Sequence, residues 1–116
     1  AASGTVANKR VFATIDDGPG IPDGATVDAE GCLWNAQWDA WRVVRYQPDG
    51  TIERIIRMPV SRPTSCMFGG PDLTTLYVTS AIWDETDPRL VNEPLAGSLF
   101  AVDVGVRGLQ EPRFAG

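Results

Sequence analysis

Two identical tripeptides, Pro22-Asp23-Gly24 and Pro48-Asp49-Gly50, carry the carboxylates whose setting most invites chemistry. A carboxylate can ligate a hard cation through oxygen or accept a proton from an attacking water. The same three residue types also build tight turns, and most Asp-Gly pairs do nothing else. Trp38, Trp41 and Trp83 offer aromatic faces that would serve equally as walls of a site or as packing, while Arg62 offers a fixed cation and Ser65 a hydroxyl. Asp84, Glu85 and Asp87 form an acidic cluster, read first as a solvated loop. With two Cys and no His, a zinc site of the usual kind is disfavoured, and Cys32 and Cys66 read as buried thiols rather than a disulfide.

Positioning these groups falls to a strand-turn-strand unit that occurs twice. Residues 24–38 are echoed by residues 65–80: an apolar strand, an acidic glycine-bearing turn, then a second strand opening on Leu33-Trp34 or Leu76-Tyr77. The repeat falls inside the roughly 40–45-residue period of a four-stranded propeller blade. Alternation predicts strands over residues 25–27, 32–37, 42–46 and 52–58, then 65–68, 76–81, 98–104 and a weak one at 111–114. Residues 9–15 alternate as well and read as an orphan outer strand. The expected fold is all-β: part of a β-propeller, about two four-stranded antiparallel blades (21–60 and 61–116) plus one outer strand (9–15) of a preceding blade. Two blades do not close a ring and leave an apolar flank on each side, so partner blades are expected.

Strand order sorts the loops into two ends. The segments 21–24, 38–41, 59–64 and 82–97 share the end where an inner strand is entered; 28–31, 48–50 and 69–75 share the other. Asp49 is thereby a hairpin residue, as are Asp28 and Glu30 at the same far end. Asp23 instead stands at the channel mouth, where position leaves it balanced between turn residue and functional carboxylate. Arg62 and Ser65 are candidates to face the same channel.

The net charge of −5 supplies no basic patch for nucleic acid. No apolar run approaches the roughly 18 residues a bilayer span requires. The opening Ala1-Ala-Ser-Gly-Thr has neither an initiator Met nor a signal-peptide layout, so it reads as truncated and the protein as cytoplasmic.

The linked segments Ile-Pro-Asp-Gly, Val-Asp-Ala-Glu-Gly-Cys-Leu-Trp, Val-Val-Arg-Tyr-Gln-Pro-Asp-Gly, Ser-Arg-Pro-Thr-Ser-Cys-Met-Phe-Gly-Gly-Pro-Asp-Leu and Pro-Leu-Ala-Gly-Ser-Leu-Phe-Ala-Val-Asp occur in that order. Together they resemble the C-terminal part of the regucalcin, gluconolactonase and senescence-marker-protein family. That resemblance implies a six-bladed propeller that hydrolyses sugar lactones with a bound divalent cation (Ca²⁺, Mg²⁺, Mn²⁺ or Zn²⁺). It further implies that Asp23 is both a metal ligand and the catalytic base, with the other ligands, a Glu and an Asn, in segments this chain lacks. The family commonly has Gly-Gly where this chain has Asp39-Ala40. The expectation is a lactonase portion that supplies one ligand and is inactive alone, with Trp38, Trp41, Arg62 and Ser65 as substrate-pocket candidates. Its partners would be a small sugar lactone and the missing N-terminal blades or other copies of the chain. The competing expectation is a self-assembling half-propeller that binds or scaffolds without catalysis.

Overall fold

The computed structural model describes residues 4–116. Seven strands form two antiparallel sheets. β1 (Ile21–Val27), β2 (Leu33–Trp38), β3 (Arg42–Tyr46) and β4 (Ile52–Arg57) lie in that order in the first, and β5 (Pro63–Gly69), β6 (Thr75–Ser80) and β7 (Phe100–Asp103) in the second. Each sheet is a run of neighbours joined by consecutive connections. The β3–β4 turn follows the predicted chemistry: Gly50 N–H donates to the Gln47 carbonyl at 2.8 Å, and the Asp49 carboxylate accepts from the N–H and hydroxyl of Thr51 at 2.9 and 2.6 Å.

Strict alternation decides which residues meet between the sheets. Trp34, Ala36 and Val43 point from the first sheet, and Cys66, Phe68, Leu76 and Val78 from the second, into one core that Met58, Val60 and Val104 complete. Trp34 stands edge-on to Phe68, with ring centroids 5.8 Å apart at 82°, a favoured aromatic geometry. Cys32 and Cys66 are both buried and free, as expected. Burial pushes the Cys66 thiol up to about 12, so the native protein will hold it protonated. Cys66 is expected to resist a disulfide-exchange reagent in native buffer and to react at the rate of unfolding. Rapid native labelling at Cys66 would contradict its placement between the sheets.

Two predicted strands do not form. Residues 9–15 carry no ladder, because no described strand lies alongside to pair with them. The segment itself is mostly exposed, and Phe12 to Ile15 border a pocket over Leu33, Asn35 and Tyr46 on the outer face of the first sheet. Phe12 sits edge-on to Tyr46 with centroids 6.1 Å apart, and just beyond, Asp17 takes both terminal nitrogens of Arg42 at 2.7 and 2.8 Å. Arg42 also donates to Gln37, which in turn donates to the Tyr46 hydroxyl. This flank is therefore partly covered and more polar than expected, whereas the second sheet still exposes Met67 and Tyr77.

Residues 111–114 are likewise exposed and unpaired, leaving the second sheet three-stranded. Pro112 can donate no ladder hydrogen bond, and the segment just before it has turned back to the first sheet. Gly108 bridges to Asp28, and Ala29 N–H donates to the Arg107 carbonyl at 2.8 Å. A side chain at Gly108 would meet Phe68 Cβ at 2.2 Å, so only glycine allows that approach. The connection after β6 contains a 3₁₀ helix, Pro88–Asn92, capped by Asp87, whose carboxylate accepts from Arg89 N–H at 3.0 Å. No described helix is long and apolar enough to cross a membrane.

Candidate active-site cleft

β1 begins earlier than expected, at Ile21 rather than Ala25. Ile21 and Pro22 pair with Trp38 and Gln37, and the register then shifts before Ala25 meets Asn35. Asp23 and Gly24 therefore form a bulge inside the strand rather than a loop leading into it. Pro22 is tolerated because β1 is an edge strand and the bulge follows directly. Bulges re-aim side chains, and this one turns the Asp23 carboxylate outward.

Two neighbours hold the bulge. Asn35 is buried, and its side-chain amide donates to the carbonyls of Asp23 and Gly24 at 2.9 and 3.4 Å. Gly24 lies against Ser65 of the next sheet so closely that an added Cβ would fall 2.5 Å from Ser65 Cβ and 2.8 Å from its Cα. Gly24→Ala is expected to force β1 and β5 apart, costing about 1–3 kcal/mol in denaturant unfolding as overpacking does. Wild-type stability in that variant would show that the contact is slack.

Asp23 accepts no side-chain hydrogen bond and makes no ion pair among the described residues, and it is exposed. With Ile21, Pro22, Trp38, Arg62 and Trp83 it lines an open cleft of about 490 Å³. Trp38 and Trp83 meet edge to face, centroids 5.8 Å apart at 86°, and the Arg62 guanidinium lies 4.9 Å over the Trp38 ring. Arg62 is held in turn by Asp39 at 2.9 Å and Asp87 at 3.4 Å. Asp39 sits at φ 61, a left-handed conformation that glycine enters freely and aspartate tolerates. Aspartate here thus keeps the turn and adds an anchor for Arg62.

The cleft gathers Asp23, Trp38, Arg62 and Trp83 but not the other sequence candidates. Trp41, at φ 58, faces a separate depression with Asp17, Arg42 and Arg57. Ser65 presses on Gly24 and does not line the cleft. Of the acidic cluster, Asp84 and Glu85 are exposed as a solvated loop would leave them, with Asp84 accepting from Thr86 N–H and hydroxyl at 2.8 and 2.7 Å, whereas Asp87 is tied to Arg62 and Arg89. Sequence reasoning missed Asn35. The available signal was an amide inside the otherwise apolar run Leu33-Trp34-Asn35-Ala36.

Among the described residues no three His, Cys, Asp or Glu side chains are grouped to hold a metal ion. Asp23 offers one carboxylate to the cleft.

Face-packed antiparallel sheets, with inner-strand entry and long connections opening at one end on a cleft, define part of a β-propeller with its mouth. Residues 1–82 match the family described as SMP-30/Gluconolactonase/LRE-like region, and the chain belongs to that family. It is 47% identical over 97 residues to a 6-deoxy-6-sulfogluconolactonase of Pseudomonas putida, covering 84% of this chain and 33% of that protein. It is 43% identical over 113 residues to an L-arabinolactonase of Azospirillum brasilense, covering 97% of this chain and 37% of the relative. A calcium-binding protein, regucalcin, from Agrobacterium tumefaciens superposes with a TM-score of 0.84 at 35% identity, over 91% of this chain and 36% of that one. The chain therefore spans only between a third and two fifths of these three proteins.

Proposed function

We propose that this chain is part of a divalent-metal-dependent hydrolase of sugar lactones, contributing Asp23 as one metal ligand and as general base. The observation that carries the reading is the unpartnered Asp23 carboxylate, aimed by a pinned bulge into a cleft with an aromatic wall. Lactonases among the relatives, and a calcium-binding protein among the solved structures, support the class.

In the proposed reaction water adds to the lactone carbonyl, the ring C–O bond breaks, and the alkoxide leaves protonated. Asp23 takes the proton from the attacking water and returns it to the leaving oxygen. A divalent cation, when bound, would stabilise the charge that develops on the carbonyl oxygen. Its remaining ligands must come from outside this chain, from further blades or from other copies, and the chain alone is expected to be inactive.

Native mass spectrometry followed by a proton-release assay tests this. A particle heavier than the chain by the missing blades should hydrolyse sugar lactones, lose activity to a chelator, and regain it with Ca²⁺, Mg²⁺, Mn²⁺ or Zn²⁺. A complete particle that ignores both lactone and chelator refutes the proposal. A particle three times the chain mass without turnover would support the non-catalytic ring of copies.

A further inference from the structure

The Asp23 cleft makes no use of Trp41. That residue instead borders a second depression, of about 300 Å³. Its walls are the 17–20 connection, the 39–41 tip between β2 and β3, and the paired ends of β3 and β4, Arg42 and Arg57. The connection is seated on the tip, for a Cβ added at Gly20 would lie 2.9 Å from Ala40 Cβ. Trp41 sits at φ 58, with its N–H donating to the Ser61 carbonyl at 3.3 Å and its carbonyl accepting from Met58 N–H at 2.8 Å. A bulky side chain is seldom found in that region, where glycine would hold the same turn without strain. Here the strained position keeps Trp41 40% exposed at the wall of the depression, and such strain gathers where ligands are met.

Charge says what is missing. Arg42 and Arg57 are direct partners across the β3–β4 ladder, and like charges so placed repel. Arg42 is satisfied: its Nε donates to Gln37 at 2.6 Å and its two terminal nitrogens to Asp17 at 2.8 and 2.7 Å. Asp39, the other acid at this wall, is taken by Arg62 at 2.9 Å and Arg89 at 3.4 Å. The Arg57 side chain is exposed and has neither hydrogen bond nor ion pair among the described residues. Its hold on Asp17 is slight, since the Arg42 hydrogen bond chiefly lowers that carboxyl and Arg57 adds a minor pull through space. One guanidinium is thus left unmatched beside an aromatic side chain. A single negative charge fits it, whereas a phosphate dianion would also meet the carboxylates of Asp17 and Asp39.

We propose that Trp41 and Arg57 form a second binding site, for a small planar monocarboxylate, its carboxylate on the Arg57 guanidinium and its flat body against the Trp41 ring. The guanidinium presents paired N–H donors that match the two carboxylate oxygens. The depression exceeds the roughly 150 Å³ that accommodates benzene in an engineered cavity. The site makes no use of Asp23 and does not depend on the lactonase reading.

Benzoate and its neutral counterpart benzamide test it, titrated into the protein in the particle it forms and followed by ligand-observed NMR. Benzoate should bind about tenfold more tightly than benzamide, the worth of a hydrogen-bonded charge. Arg57→Gln should erase that preference by weakening benzoate alone, and Arg57 is exposed, so the fold does not depend on it. Trp41→Gly should weaken both probes by about three- to tenfold, the turn being kept by a residue that enters the left-handed region freely. Equal binding of the two probes in the parent overturns the proposal; a carboxylate from a further blade, already seated on Arg57, would produce that result. Benzoate binding that survives Arg57→Gln, or that is lost to a chelator, places the probe elsewhere and overturns the proposal as well. So does binding of both probes that is indifferent to Trp41→Gly.

Discussion

Asp23→Asn in the assembled protein is expected to reduce lactone turnover by about 10²–10⁴-fold, the usual contribution of a positioned general base. The substitution keeps size and shape while removing the charge and the proton-accepting oxygen. Because the Asp23 side chain has no partner among the described residues, the thermal midpoint should stay within a degree or so of the parent, as for surface changes away from any network. Loss of activity with unchanged stability is the signature of a residue kept for chemistry. Retained turnover would remove Asp23 from the mechanism, and a large fall in stability would mean the carboxylate supports the bulge.

The second large effect lies at the opposite end of the sheets. Asp28 is wholly buried and accepts hydrogen bonds from Trp34 Nε1 at 2.8 Å, Arg45 Nε at 2.9 Å, and the backbone N–H groups of Glu30 and Cys32. Arg45 is also buried and reaches Glu30 and, at 3.3 Å, Glu53. Its guanidinium lies 5.6 Å from the centre of the Trp34 ring, with Arg54 at 5.8 Å. Asp28→Ala should destabilise the protein by about 3–5 kcal/mol in denaturant unfolding, as removing one partner of a buried pair does. A cost under about 1 kcal/mol, the scale of an exposed pair, would mean that water reaches the site.

The same carboxylate sets a pH dependence. Burial pushes Asp28 up, but the hydrogen bonds from Trp34, Arg45 and the two backbone groups outweigh it and hold it below its ordinary value of 3.8. A group depressed in the folded state contributes stability above its unfolded value, and that contribution is lost as pH falls through the folded one. The parent protein should therefore lose stability below about pH 4. Asp28→Ala should show a shallower acid limb, since the group that takes up the proton is gone. An acid limb as steep as the parent's would assign the effect to other depressed carboxyls such as Asp17 and Glu53.

How much of this was legible depends on the range of the interaction. β2, β3, β4 and β6 lay within a residue or two of the alternating pattern, because one face of each packs on the core and period two is a local property. The hairpin role of Asp49 was legible for the same reason. Asp28 looked like Asp49, an acid ahead of a glycine at a turn. What distinguishes it is Arg45, brought in by the β2–β3 pairing, and Gly108, brought back from the far end of the chain. Neither is visible in the tetrapeptide.

The cleft divides in the same way. Position at an inner strand left Asp23 balanced between turn and function, and its bulge and the Asn35 clamp depend on register, which propensity does not encode. Ser65 missed the cleft because it follows the register shift between Pro63 and Ser65 in β5 and is spent on Gly24. Residues 9–15 had the pattern of a strand without a neighbour to pair with, and hydrogen-bonded partners, not alternation, make a ladder.

The return of residues 107 and 108 to the first sheet also orders events in time. The first sheet is assembled from neighbouring hairpins and can form as soon as its own residues are free. Beyond the shared core, a further tie to the second sheet waits for Gly108 to reach Asp28 and for Gly108 N–H to find the Leu73 carbonyl. Contacts of such sequence separation carry a high loop-closure cost and form late. The closure beside the buried Asp28–Arg45 pair is thus the late, long-range step, made after each sheet's own hairpins are in place.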